Sequence, residues 1–169
     1  MAVTQAQPPI LIVEDDPMVL TTLKITLERA KFNVVTSSDP IRAIDLLTKF
    51  DFSVIISDYR MPHMTGLDFL VECRHRCPHS CRILLTAAVN LATLVDAINR
   101  AEICRFIAKP WLREELVLAI RDAAQRHDLA IHYQALQAET TRLNHQLMAA
   151  NKALEARISE LKGQPLATL

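Results

Sequence analysis

Four short stretches of this 169-residue chain carry side chains whose types and positions could do chemistry together: Glu14-Asp15-Asp16, Asp58, Thr86 and Lys109. Each follows a short apolar run, namely ILIV (10–13), SVII (53–56), RILL (82–85) and ICRFIA (103–108). One acid beyond a strand is ordinarily a solvated loop residue. Acids gathered from two strands repel one another unless a hard cation sits among them. Oxygen donors that leave positions open for water and phosphate suit Mg2+, with Mn2+ as the alternative ion. An ammonium beside them adds positive charge, a hydroxyl offers a hydrogen bond, and a carboxylate can act as nucleophile. Such a set could hold a phosphoryl group. It would do so without a glycine loop, because the chain's two glycines, Gly66 and Gly163, exclude a GxGxxG turn and a Walker-type phosphate loop.

Whether these side chains meet depends on the elements that carry them. ILIV is continuous and apolar, as in a strand buried on both faces. Asp16-Pro17 and Asp39-Pro40 each read as an N-cap followed by a first helical residue. Behind them Leu20, Leu23, Leu27 and Ala30, then Ala43, Ile44 and Leu47, recur at helical spacing. FNVV (32–35) is the second strand and SVII the third. Leu67, Leu70 and Val71 mark the following helix. RILL is the fourth strand, Leu94, Val95 and Ile98 mark its helix, and ICRFIA is the fifth strand. This alternation predicts an α/β fold, a doubly wound, flavodoxin-like five-stranded parallel sheet of order 2-1-3-4-5. Ligands of such sheets bind at the carboxyl ends of the strands, near the switch point between strands 1 and 3. The acids, Thr86 and Lys109 all fall at those ends.

ILIVEDDP, SDYRMPHMTG, LLTA and FIAKP, in this order at four strand ends, resemble the receiver domain of two-component response regulators, over residues 10 to about 122. The resemblance implies that Asp58 accepts a phosphoryl group from a histidine kinase or phosphotransfer protein. It implies Asp15 as a direct Mg2+ ligand, Glu14 acting mostly through water, Asp58 itself, and Arg60 through its backbone carbonyl. Thr86 and Lys109 become phosphoryl partners, Phe106 the switch aromatic, and Ala87 the small residue leaving room for the phosphoryl group. Lys109-Pro110 matches a cis peptide of the family. Two positions depart from the commoner pattern: Glu14 stands for the first Asp, and Phe106 lacks a tyrosine's hydroxyl. Asp16 reads as a helix cap. The chain is then expected to be a regulator, not an enzyme beyond its own phosphoryl transfer and slow dephosphorylation. A haloacid-dehalogenase-type Mg2+-dependent phosphatase is the enzymatic alternative, but its nucleophile would follow strand 1. A phosphorylation-independent dimerisation module would be expected to lack Asp15, Asp58 or Lys109.

The rest of the chain bounds the partners. Nineteen basic and nineteen acidic residues give no net charge, which argues against direct nucleic-acid binding. No apolar run reaches a membrane span and no signal-peptide pattern opens the chain, so a cytoplasmic protein is expected, with its four cysteines as thiols. CRHRCPHSC (73–81) has cysteines four apart, interrupted by Pro78 and without the second pair a structural zinc site uses. From Leu129 an alternating 4–3 series runs Leu129, Tyr133, Leu136, Thr140, Leu143, Leu147, Ala150, Leu154, Arg157, Leu161, a heptad seam in which Ile158 can take over from Arg157 as a stutter. The expected organisation is a tail at 1–9, a receiver at 10–122, helix 5 starting at Trp111 or Leu112 and extended over 123–162 into a parallel dimeric coiled coil, and a tail or linker at 163–169. No output domain is read in these residues. In the resembling family such a layout, with KPW opening the last helix, often precedes a cyclic-di-GMP enzyme or a histidine kinase.

Overall fold

A computed structural model describes residues 8–87 and 91–162, the side chains of 91–94 excepted. Residues 1–7 of the tail expected at 1–9, the tail or linker expected at 163–169 and the side chain of Leu94 lie outside the described residues. Five strands alternate with helices: β1 (Ile10–Val13), α1 (Pro17–Arg29), β2 (Val34–Ser37), α2 (Pro40–Leu46), β3 (Val54–Asp58), α3 (Gly66–Arg76), β4 (Cys81–Thr86), α4 (Leu91–Ala101), β5 (Arg105–Ala108) and α5 (Arg113–Lys162). The strands form one parallel sheet in the order β2-β1-β3-β4-β5. β1, β3 and β4 are buried along their whole length, as continuous apolar runs covered on both faces must be. On one face Ile10, Ile12, Ile56 and Ile83 pack against Leu23 and Leu27 of α1 and Leu116 and Ile120 of α5. On the other, Leu11, Val13, Ile55 and Leu84 pack against Ala43, Leu70, Ala97 and Ala101 of α2, α3 and α4. The register sets Ser57 beside Val13, Asp58 beside Leu85 and Thr86 beside Ala108, which lines up the carboxyl ends of the central strands.

Local chemistry fixes where the helices start. The Asp16 carboxylate accepts from the amides of Met18 and Val19, Asp39 accepts from Ile41, and Pro17 and Pro40 open the helices behind them. β2 and β5 begin two residues later than their apolar runs suggest, and α5 begins at Arg113, after Trp111 and Leu112. α4 stands where Leu94, Val95 and Ile98 mark it, and the face it buries is a different one. Val95 and Ile98 are about half exposed, and small residues, Ala97 and Ala101, meet the core instead. Alanine lets the helix approach α3 closely, and Asp68 of α3 then reaches Arg100 of α4 at 2.9 Å.

The chain divides into two compact units, Met1–Ala130 and Ile131–Leu169. In the first, Leu116, Ala119, Ile120 and Ala123 of α5 are buried as their spacing predicts, joined by Ala124 and His127. In the second, every described side chain of α5 is exposed. No described helix is long and apolar enough to cross a membrane.

Candidate functional site

Asp58 is the last residue of β3 and is nearly buried, at 6% exposure. One of its carboxylate oxygens accepts the backbone N–H of Arg60 at 2.8 Å, which fixes the orientation of the group. The other lies 2.6 Å from the Lys109 ammonium. Lys109 leaves β5 through a cis bond to Pro110 and also donates to Glu14 at 2.6 Å. Its backbone N–H donates to the Thr86 carbonyl at 2.8 Å, which ties the exit of β5 to the end of β4. One ammonium therefore bridges acids delivered by β1 and β3. Burial pushes the Glu14 carboxyl above its ordinary range, reinforced by the Asp58 charge and opposed by the hydrogen bond from Lys109. For Lys109, burial disfavours the charged form, yet the hydrogen bonds to Asp58 and Glu14 prevail and raise its pKa.

The structure brings the expected acids together. Glu14, Asp15 and Asp58 each offer an oxygen within 4.8 Å of the others. Glu14 is buried, whereas Asp15 is exposed beside it and open to solvent. Thr86 is buried at the end of β4 and Ala87 is exposed next to it. Phe106 is half-buried in the layer under α2, α3 and α4. It pairs with Leu84, so strand alternation puts it on the same face of the sheet as Thr86. Arg60 is exposed and reaches the site through its backbone. The cysteines of CRHRCPHSC do not converge: Cys73 lies in the layer under α3 and Cys81 in the layer on the opposite face.

Three supporting residues escape the sequence reading. Gly66, the first residue of α3, lies against the carbonyl of Asp58, where an added Cβ would stand 1.7 Å from that oxygen. Thr65 caps α3 by accepting from the Asp68 amide and donating to its carboxylate. That hydrogen bond, more than Arg100 beside it, holds the Asp68 carboxyl below its usual range. Arg82 is buried on β4, and its guanidinium donates to the carbonyls of Ala101 at 2.6 Å and Ser80 at 2.8 Å. The T-x-x-D spacing at 65–68 was a legible capping signal. Nothing near Gly66 or Arg82 in sequence announces their roles.

Comparison with known proteins places this geometry. The response regulator receiver domain family matches residues 10–121. The chain is 32% identical over 154 residues to the hydrogenase transcriptional regulatory protein HoxA of Cupriavidus necator, covering 91% of this chain and 30% of HoxA. The chain thus spans about a third of the length of the curated relatives it matches. Among solved structures, a signal receiver domain of an HD domain-containing protein from Pseudomonas fluorescens Pf-5 superposes with a TM-score of 0.73 at 30% identity, covering 78% of this chain and 97% of that one. An adenylate cyclase structure from Rhodopirellula baltica gives a TM-score of 0.72 at 34% identity, with 77% and 96% covered. Receiver domains bind Mg2+ at an acidic pocket, and the cluster of Glu14, Asp15 and Asp58 is an oxygen-only donor set that fits such an ion. The chain belongs to the response regulator receiver domain family of two-component signalling, whose members act as regulators.

Proposed function

We propose that Asp58 is the residue that accepts a phosphoryl group, donated by a histidine kinase or phosphotransfer protein. The observation that carries this is the nearly buried Asp58 carboxylate, held in place by the Arg60 amide, with the Lys109 ammonium 2.6 Å away. A carboxylate oxygen of Asp58 attacks the phosphorus. The bond from phosphorus to the donor imidazole breaks, and its electron pair stays on the departing nitrogen. Lys109 neutralises charge on the phosphoryl oxygens, and the Thr86 hydroxyl donates to one of them. Asp15, Glu14 and Asp58 would hold Mg2+, with the Arg60 carbonyl as a further donor, and the ion would supply a second positive charge on the phosphoryl oxygens. A groove of about 460 Å3 lined by Val19, Thr22, Lys109, Pro110 and Trp111 opens beside Lys109 and gives a donor protein an apolar place to rest.

Thr86 drawn toward the phosphoryl group leaves space on its face of the sheet, and Phe106 moves into it. The signal is a shift between two packings of α4 and β5. Residues 10–122 form the receiver, and 123–162 extend α5 into a parallel dimeric coiled coil that hands the change to an output domain. That the named relatives are regulatory proteins or carry an HD domain supports a downstream domain, whether of transcriptional, cyclic-di-GMP or kinase class. The phosphatase alternative is disfavoured because the enclosed nucleophile follows β3, and the pure dimerisation module because Asp15, Asp58 and Lys109 all stand at the site. Incubation with acetyl phosphate and Mg2+ tests the reading. The wild type should gain the mass of one phosphoryl group and Asp58→Asn should gain none. Unchanged labelling of that variant would reassign the acceptor.

A further inference from the structure

Resting on the dimer just proposed, we infer that its seam changes repeat at Leu143, from seven residues before to eleven after, so that Ile158 and not Arg157 faces the second copy. Every described residue of α5 from 129 to 162 is exposed. Leu129, Tyr133, Leu136, Leu143, Leu147, Leu154, Ile158 and Leu161 are all at least half exposed. Most helical stability in proteins comes from packing an apolar face, and this stripe packs against nothing among the described residues. An identical helix in parallel register meets this stripe apolar to apolar at successive layers, which is why a second copy is the occupant.

The first part of the stripe keeps the heptad. Leu129, Tyr133, Leu136, Thr140 and Leu143 step by four and three, and the one polar member is accommodated. The Thr140 hydroxyl donates to the Leu136 carbonyl at 2.8 Å, so a layer at Thr140 buries no unsatisfied group. Tyr133 likewise accepts from Gln137 on its own helix.

Beyond Leu143 the heptad fails at one position. It would set Arg157 against Arg157, two like charges in one layer. In the structure the Arg157 guanidinium lies instead 2.9 Å from Glu160 on its own helix, and the side chain is 70% exposed. An eleven-residue repeat pairs Leu143 with Leu154, Leu147 with Ile158 and Ala150 with Leu161, and all six are apolar. Seven residues in two turns force a left-handed supercoil, whereas eleven in three favour a right-handed one. The dimer therefore loses its left-handed twist past Leu143.

Single cysteines at the seam distinguish the repeats. Leu143→Cys, Leu154→Cys, Arg157→Cys and Ile158→Cys are made in the otherwise unchanged chain, whose native cysteines all lie in the receiver. Each is oxidised with copper phenanthroline beside the parent protein, and disulfide-linked dimer is measured on non-reducing gels. Leu143→Cys, Leu154→Cys and Ile158→Cys should link well above the parent, and Arg157→Cys at least five-fold more slowly. Linking of Arg157→Cys as fast as Ile158→Cys, with Leu143→Cys and Leu154→Cys still linking, overturns the change of repeat and leaves the dimer standing. Linking at Leu143 alone means the helices cross or run antiparallel and also overturns it. No linking anywhere, with sedimentation as a monomer at tens of micromolar, removes the dimer itself.

Discussion

Gly66→Ala probes how tightly the fold holds the acceptor. The added methyl would stand 1.7 Å from the Asp58 carbonyl oxygen, 2.7 Å from its carbon and 2.8 Å from the Ser57 hydroxyl, where ordinary contact begins near 3.4 Å. Two of these are backbone atoms, so no flexible side chain can yield. Either the start of α3 or the end of β3 must retreat by well over 1 Å. The Gly66 amide bond to the Tyr59 carbonyl at 2.9 Å resists the first movement. The second drags Asp58 away from the Arg60 amide and Lys109. Overpacking costs typically 1–3 kcal/mol, and a clash with backbone belongs at the upper end, about 3 kcal/mol. That is a large part of a domain's ordinary 5–15 kcal/mol and should lower Tm by roughly 10 °C. Misplacement of a reacting group by about 1 Å costs on the order of 100-fold in rate. Urea denaturation gives the stability change, and the initial rate of mass gain with acetyl phosphate and Mg2+ gives the second. Thr65→Ala is the control, because it removes the cap of α3 for about 1 kcal/mol without touching Asp58. Wild-type stability and rate in Gly66→Ala would refute the close approach; a slow variant with a normal Thr65→Ala rate supports it.

Arg82→Met should cost about 2–4 kcal/mol in chemical denaturation, because it strands the carbonyls of Ala101 and Ser80, and Arg82→Lys should recover only part of that. Asp68 has a folded pKa below its unfolded value, so its contribution is complete above the ordinary carboxylate range and is lost as pH falls through the depressed pKa. The stability gap between wild type and Asp68→Asn should therefore be constant near neutrality and close on acidification below about pH 4; a gap that widens there would contradict the assignment. Leu147→Lys removes a buried leucine from each copy of the proposed dimer, roughly 3–6 kcal/mol together, and sets two ammonium groups face to face. Sedimentation should show monomers at micromolar concentration with phosphorylation intact, and a persistent dimer would put the interface on the receiver.

Much of the sheet was legible because its strands are buried on both faces, and such strands carry their signal in consecutive residues. ILIV coincides with β1, and the ends of SVII and RILL differ from those of β3 and β4 by only one or two residues. The Asp-Pro pairs at 16–17 and 39–40 announced two helix starts because a cap is a local device. α4 was legible as a helix, but the side it buries was not, for a related reason. Periodicity reports which side of a helix is apolar, not which side meets the core. Its larger residues, Val95 and Ile98, face outward, while Ala97 and Ala101 allow the close approach to α3 that the ion pair of Arg100 and Asp68 requires.

The site divides along the same line. Its acids, Thr86 and Lys109 were legible because parallel topology sends strand ends to one place, and each stands within two residues of the end of its own apolar run. What holds them was not, because it comes from distant parts of the chain. Arg82 reads as a polar edge to RILL. Its burial is tolerable only because carbonyls at Ser80, Ala101 and Glu102 converge on one guanidinium from the entrance of β4 and the end of α4. Glu102 adopts a left-handed conformation, with φ of 48°, that glycine would take more readily. Its carboxylate lies 2.6 Å from Arg74 and 3.6 Å from Arg82. Glycine there would relieve the backbone and remove both ion pairs. A residue at odds with its own backbone thus joins α3, α4 and β4, and it is β4 that carries Thr86 to the site.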